Sequence, residues 1–236
     1  RENKLNLTKK GQKFNLVGPK FNANYLIGNL FNDDKSFKFR LNKDLNLNVE
    51  IDQVFLDTNF QMNNLKGNLS LRKSVIENAN LNAFFSENKK FKFTVKTTDQ
   101  EKVTTLFLDQ PEPILKRYKF IKGFKNGSLD FYSSTKENKS ISNLKIYDFR
   151  LKELPILTKL LTLASLQGIA DILSGEGITF DEFEMKFEND RNLTVINELY
   201  AIGPAISILM EGYIEKNKLI SLRGSLVPAT TINKAI

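Results

Sequence analysis

From Phe37 the apolar residues of this chain fall at alternate places: Phe37, Phe39 and Leu41, then Leu45, Leu47, Val49 and Ile51. Lys38, Arg40, Asn42, Asp44, Asn46, Asn48 and Glu50 fill the positions between, and Lys43 alone breaks the rhythm. Successive side chains of a β-strand point to opposite faces, so the pattern predicts strands with one dry and one wet face. It returns at Leu65, Gly67, Leu69 and Leu71, and again at Phe91, Phe93 and Val95. Later copies run through Leu129 and Phe131, Leu144 and Ile146, Phe183 to Phe187, Leu193 and Val195, Ile206 to Met210, and Ile220 to Leu226.

Polar clusters separate these runs: Asn32-Asp33-Asp34, Asn63-Asn64, Glu87-Asn88-Lys89, Lys125-Asn126-Gly127, Glu188-Asn189-Asp190 and Glu215-Lys216-Asn217. Such residues favour turns, and short strands between them predict consecutive antiparallel hairpins. Gly67-Asn68-Leu69, Gly127-Ser128-Leu129 and Gly224-Ser225-Leu226 repeat a loose theme, as in a meander without a fixed period. Two segments depart from the period of two. Pro111-Glu112-Pro113 opens a short helix over 111–122, with proline in its first turn. Residues 156–173 place Leu157, Leu160, Leu161 and Ala164 at three- and four-residue steps, which predicts one long helix of roughly five turns. Gly175 and Gly177 follow it as a stop. Lys159, Gln167 and Asp171 suit packing on a sheet better than crossing a membrane.

Composition narrows the chemistry. The 236 residues contain no Cys, His or Trp, which removes disulfides, Cys or His zinc sites, thiol nucleophiles and Ser-His-Asp triads. Carboxylate and lysine chemistry survive. Asp181, Glu182 and Glu184 are the densest acidic group, but alternation puts Glu182 and Glu184 opposite Phe183 and Met185, on the wet face. They read as solvated, not as a glycosidase pair. No calcium-loop spacing occurs, and Gly175-Glu176-Gly177 is too short to cradle a phosphate. The expected protein is therefore not an enzyme and needs no metal or cofactor. Net charge is +8, concentrated in residues 1–150, which hold 27 basic against 16 acidic side chains. Anionic partners follow from that balance. The basic-aromatic run from Lys116 to Lys125 offers a remote nucleic-acid reading, against the plainer one in which Tyr118, Phe120 and Phe124 anchor a connection to the core.

The last third carries a more specific signal. Ile156-Leu157-Thr158-Lys159-Leu160-Leu161-Thr162-Leu163-Ala164-Ser165-Leu166-Gln167-Gly168 resembles the helix of the AsmA-like C-terminal region family. Leu173-Ser174-Gly175-Glu176-Gly177-Ile178-Thr179-Phe180 looks like that family's turn, and Leu222-Arg223-Gly224-Ser225-Leu226-Val227-Pro228 is similar to its ending. Gly203-Pro204 and Met210-Glu211-Gly212-Tyr213-Ile214 fall between them. The match is firmest over 156–236; residues 1–64 share only its texture.

The resemblance, to a family whose relatives include AsmA and TamB, implies a Gram-negative periplasmic protein held to the inner membrane by a segment outside this chain. It implies a taco-like β-groove that conducts phospholipid towards the outer membrane, with bacterial membranes, phospholipid and envelope proteins as partners. Residues 1–236 are then one fragment of an elongated domain. The expected fold is mainly β with minor α: a curved antiparallel β-meander with one long and one short helix. Phe37, Phe39, Leu41, Leu69, Leu71, Phe91, Phe93 and Val95 are the lipid-contact candidates. They either line an open groove or pack in a closed core. The rival function is a scaffold for outer-membrane proteins acting through exposed strand edges.

Overall fold

Alternation becomes strand throughout the described residues of the computed structural model, which are 2–25, 44–73, 75–86, 88–117, 123–152, 155–163, 165–190, 192–215 and 219–229. The chain forms two compact units, Arg1–Pro113 and Ile114–Ile236. The first holds β1 (Lys4–Lys10), β2 (Lys13–Asn22), β3 (Leu45–Phe55), β4 (Gln61–Arg72), β5 (Val75–Ser86), β6 (Lys89–Thr97) and β7 (Lys102–Leu108). The second holds β8 (Lys125–Lys136), β9 (Lys139–Leu151), β10 (Ile178–Asp190), β11 (Leu193–Ile202), β12 (Ile206–Glu215) and β13 (Ile220–Pro228). Among the described residues the strands are interrupted by the helices α1 (Glu112–Leu115), α2 (Pro155–Leu163) and α3 (Gln167–Ser174). The fold is mainly β with minor α, and each unit's strands lie side by side in chain order in an open, curved sheet.

Neighbouring strands pair antiparallel within each unit, with one exception. β2 and β3 run parallel, Phe14 beside Leu47 and Val17 beside Glu50. This departs from the expected run of hairpins. Parallel neighbours need a crossover and not a tight turn, and the connection contains Phe37, Phe39 and Leu41. Those three candidates lie outside the described residues.

Two of the expected turns are not turns. Asn63-Asn64 lies inside β4, and Lys125-Asn126-Gly127 opens β8. Their turn chemistry is used in place: Asn64, Asn126 and Gly127 have φ of 55°, 63° and 83° within the strands. At these points the buried alternation changes phase. On β4 it passes from Met62 to Leu65, and on the paired β3 from Val54 to Ile51. In the second unit the change runs across three strands, between Phe124 and Leu129, Phe149 and Ile146, and Phe180 and Phe183. Asp148, with φ 51°, marks it on β9. Beyond that line Phe124, Phe149 and Phe180 stack, with centroids 5.5 and 5.4 Å apart. Offset aromatic stacking adds to area burial and fixes this end of the sheet.

The expected long helix is broken into α2 and α3. Ser165 sits at φ 59°, its N–H bonds Thr162 O at 3.0 Å, and Leu166 N–H reaches back to Leu161 O at 2.8 Å. That pair of bonds is a Schellman C-cap, which ends α2 with a serine where glycine is usual. The apolar period continues across the break because both helices bury one side: Leu157 and Leu161 on α2, Ala170 and Leu173 on α3. Among the described residues, the short helix expected over 111–122 is a single turn, Glu112–Leu115, anchored by the buried Pro111, Pro113 and Leu115.

Gly67 and Gly212 show how closely the strands approach. Their φ values are 145° and 152°, and a Cβ on either would meet the carbonyl oxygen of Asn80 or of Ser221 across the ladder. Only glycine fits there. Gly67→Ala and Gly212→Ala should each destabilise their unit by about 1–3 kcal/mol, read as a lower midpoint in urea unfolding. Midpoints unchanged from the parent chain would contradict the close approach.

Candidate functional site

Hydrogen-bonded partners across a sheet share a face, so the register says which side chains meet. In the first unit one row runs Leu7, Leu16, Val49, Gly67, Leu81, Phe93 and Leu106. The next runs Leu47, Leu69, Ala79, Val95 and Thr104. A third joins Ala83, Phe91 and Leu108. Leu69, Leu71, Phe91, Phe93 and Val95 therefore come together on one apolar face, with Leu71 beside Leu45. Val95 is buried, whereas Leu69, Leu71, Phe91 and Phe93 are half-buried. Phe91 is held edge-on to Phe85, 6.5 Å between centroids.

The face extends past the sequence-named residues. Ala79, Leu81 and Ala83 on β5 and Leu106 and Leu108 on β7 belong to it. Alternating Asn and Ala in Asn78-Ala79-Asn80-Leu81-Asn82-Ala83 was the available signal on β5. On β7 the run Lys-Val-Thr-Thr-Leu-Phe-Leu has no such rhythm. The second unit carries an equivalent face that the sequence reading did not select. Its rows are Leu129, Ile146, Phe183, Ala201, Ile208 and Leu226, and Phe131, Leu144, Met185, Leu199, Met210 and Gly224. Ser133 and Ser142 complete it with a buried hydroxyl pair, Ser142 donating to Ser133 Oγ at 2.9 Å.

The opposite faces are polar. In the first unit Thr8, Asn15, Asn48, Asn68, Asn80, Thr94 and Thr105 form one row over seven strands. Asn48 donates to Asn15 Oδ1 at 2.9 Å, and the Thr94 and Thr105 hydroxyls meet at 2.6 Å. In the second unit the polar face holds Glu182 and Glu184. They lie opposite Phe183 and Met185 as alternation requires, but Glu184 is not solvated: it is only 6% exposed. That corrects the expectation for this residue. Asn143 donates to Glu184 Oε1 at 2.8 Å, and Lys145 stands 3.5 Å from Oε2. Tyr200 Oη lies 2.8 Å from Glu184 Oε2 and 2.8 Å from Glu182 Oε1. One phenol proton serves two carboxylates, donating to one at a time. Lys186 pairs with Glu198 at 2.7 Å beside them.

The network ties β9, β10 and β11 and shifts its members' acidities. Burial alone would raise the Glu184 carboxyl, but the hydrogen bonds from Tyr200 and Asn143 and the charges of Lys145 and Lys186 outweigh it and hold the group below its ordinary 4.5. The bonds to Glu184 and Glu182, then burial, push the Tyr200 phenol far above its ordinary 10.0. The bond to Glu198 raises the Lys186 ammonium. Among the described residues no three acidic side chains are grouped to hold a metal ion. The arrangement clamps strands.

Its pH signature follows by linkage. A carboxyl lowered by folding adds stability above its unfolded value and loses it as pH falls through the folded one. A phenol or ammonium raised by folding adds stability below its unfolded value and loses it as pH rises. Melting temperature should therefore drop below about pH 4.5 and again above about pH 10. Glu184→Gln should flatten the acid limb, and Tyr200→Phe should flatten the alkaline limb while costing about 0.5–1.5 kcal/mol at neutral pH. Melting curves of the three proteins across pH check this; identical profiles would contradict the clamp.

No helix among the described residues is long and apolar enough to cross a membrane. No family model matches this chain, and neither does any curated protein or solved structure. The resemblance to the AsmA-like C-terminal region rests on the quoted residues themselves.

Proposed function

We propose that this chain is a non-enzymatic lipid-handling segment of a bacterial envelope protein, holding phospholipid acyl chains against the apolar faces of its sheets. What supports the reading is the continuity of those faces. In the first unit the rows through Leu69, Phe91 and Phe93 run from strand to strand, half-buried at Leu69, Leu81, Phe91, Phe93 and Leu106 and buried at Val49, Ala79, Ala83, Val95 and Leu108, with no charged residue in them between β3 and β7. Acyl chains complete such a surface by the hydrophobic effect, at roughly 0.8 kcal/mol per buried methylene. No polar ligand set is needed, so the absence of His and Cys from the sequence costs the function nothing. The periplasm, with an inner-membrane anchor outside these residues, is the location that goes with this reading.

A second reading, a scaffold for outer-membrane proteins, draws on β13. This strand pairs with β12 on one side, carries a single charged residue, Arg223, and exposes Ile220 and Val227. Lysine or proline usually guards edge strands; β1 carries Lys4, Lys9 and Lys10, whereas β13 has no lysine and its one proline, Pro228, is its last residue. A photo-crosslinker at Phe93 should capture lipid under the first reading, and one at Ile220 a protein under the second.

The quantitative test is lipid retention. Phe91→Glu and Phe93→Glu each set a carboxylate on the apolar face and should lower the lipid retained on purification by about tenfold or more, measured by mass spectrometry. Thr94→Glu, on the polar face, should leave it unchanged. Undiminished lipid in variants that keep their circular dichroism would sink the assignment.

A further inference from the structure

Among the described residues, the polar face of the first unit carries positive charge on β6 without an ion-pair partner. β6 places Lys90, Lys92 and Lys96 on this face at alternate positions, all exposed. Two-residue steps along a strand set their stems about 7 Å apart per step. On β4 the cations of the face are paired, Lys66 with Glu50 at 2.7 Å and Arg72 with Glu77 at 3.0 Å, whereas Lys10 and Lys13, facing each other across β1 and β2, add further exposed positive charge to it. Asp109, near the end of this stripe, spends its carboxylate on the Lys90 main-chain N–H at 2.8 Å. Among the described residues the three β6 lysines have no ion-pair partner. Their cross-strand neighbours are Asn82 and Phe107 beside Lys92, Phe84 beside Lys90 and Val103 beside Lys96, with Thr94 between Asn80 and Thr105. Phe84 is 38% exposed on the same face, next to a lysine rather than in the core.

We infer that this face docks on the surface of an anionic phospholipid bilayer. Lys90, Lys92 and Lys96 meet headgroup phosphates, and Phe84 enters the interfacial layer beside them. Charge complementarity selects the partner: an uncompensated row of point charges on one strand, set among uncharged neighbours, matches a sheet of negative charge. An aromatic ring flanked by lysine is the side-chain pairing of membrane interfaces. Single-stranded nucleic acid would need successive exposed aromatic platforms along the cationic row; of the two rings beside it, Phe84 is exposed and Phe107 is half-buried. The inference stands apart from the lipid-carrying reading, because it uses the opposite face of the sheet.

Co-sedimentation with vesicles tests it on the whole chain. Binding should be strong to phosphatidylcholine vesicles containing phosphatidylglycerol, weak to phosphatidylcholine alone, and lost at high salt. Each lysine removed should weaken binding about fivefold, and the triple variant K90S/K92S/K96S on the order of 100-fold. Phe84→Ser should weaken binding without altering its salt dependence. These exposed substitutions leave the core untouched, and unchanged melting verifies it. Equal binding to both vesicles, an unweakened triple variant, or displacement from the anionic vesicles by an equimolar single-stranded oligonucleotide would overturn the inference.

Discussion

Everything in this molecule depends on strand register. A period of two gives each strand two faces, and a slip of one residue would exchange them entirely. Asn48 and Val49 are adjacent in the chain, yet one lies in a row of amides and hydroxyls and the other in a row of apolar side chains. The two surfaces, apolar and polar, are thus a single decision made by the ladder. Devices that pin the ladder deserve the stabilising role that a second layer has in a sandwich. Gly67 and Gly212 permit a backbone approach that no other residue allows. Tyr200 reaches both Glu182 and Glu184 only when β11 stands in its observed register with β10. A buried carboxylate with incomplete partners would cost several kcal/mol, so a slipped pairing that stranded Glu184 is strongly disfavoured.

Much of this was legible in the sequence, and the misreadings share a cause. Leu69, Leu71, Phe91, Phe93 and Val95 fall together because alternation is a local property that pairing preserves. Asn63-Asn64 and Asn126-Gly127 carried correct chemistry and the wrong position. Asparagine and glycine do adopt positive φ there, but within strands, where one such residue swaps the buried face without reversing the chain. Polarity alone does not separate a hairpin end from a mid-strand kink; only the partner strand does. The parallel joining of β2 to β3 was hidden for the same reason. In residues 156–173 the apolar period was real, yet Ser165 breaks the helix without glycine or proline, so the sequence carries no punctuation at the break.

Glu184 marks a different limit. Alternation assigns a face and says nothing about how crowded that face is. Its burial comes from Tyr200, Asn143, Lys145 and Lys186, contributed by three strands, and from long side chains that lie along the sheet surface. Tyr200 was visible as an aromatic out of phase with Leu199 and Ala201. A tyrosine on the polar face of one strand opposite a glutamate on the next is the pattern that would have predicted the clamp.

The two faces also constrain each other. An apolar surface extended across several strands is an aggregation hazard unless something covers it, whereas the polar face keeps the same strands soluble without competing for the cover. Separating the tasks by face lets each vary independently: a hydrophobic change at Phe93 alters what the dry side holds, and a charge change at Lys92, one residue away in sequence, alters only what the wet side meets. The excess of positive charge in the first 150 residues follows the same division, since on β6 Lys90, Lys92 and Lys96 occupy the positions that alternation denies to the apolar set. A sheet that holds lipid chains on one side and meets anionic surfaces on the other, as proposed above, needs no closed pocket. It needs strands whose register does not slip, which is where the glycines, the mid-strand asparagines and the Tyr200 clamp are concentrated.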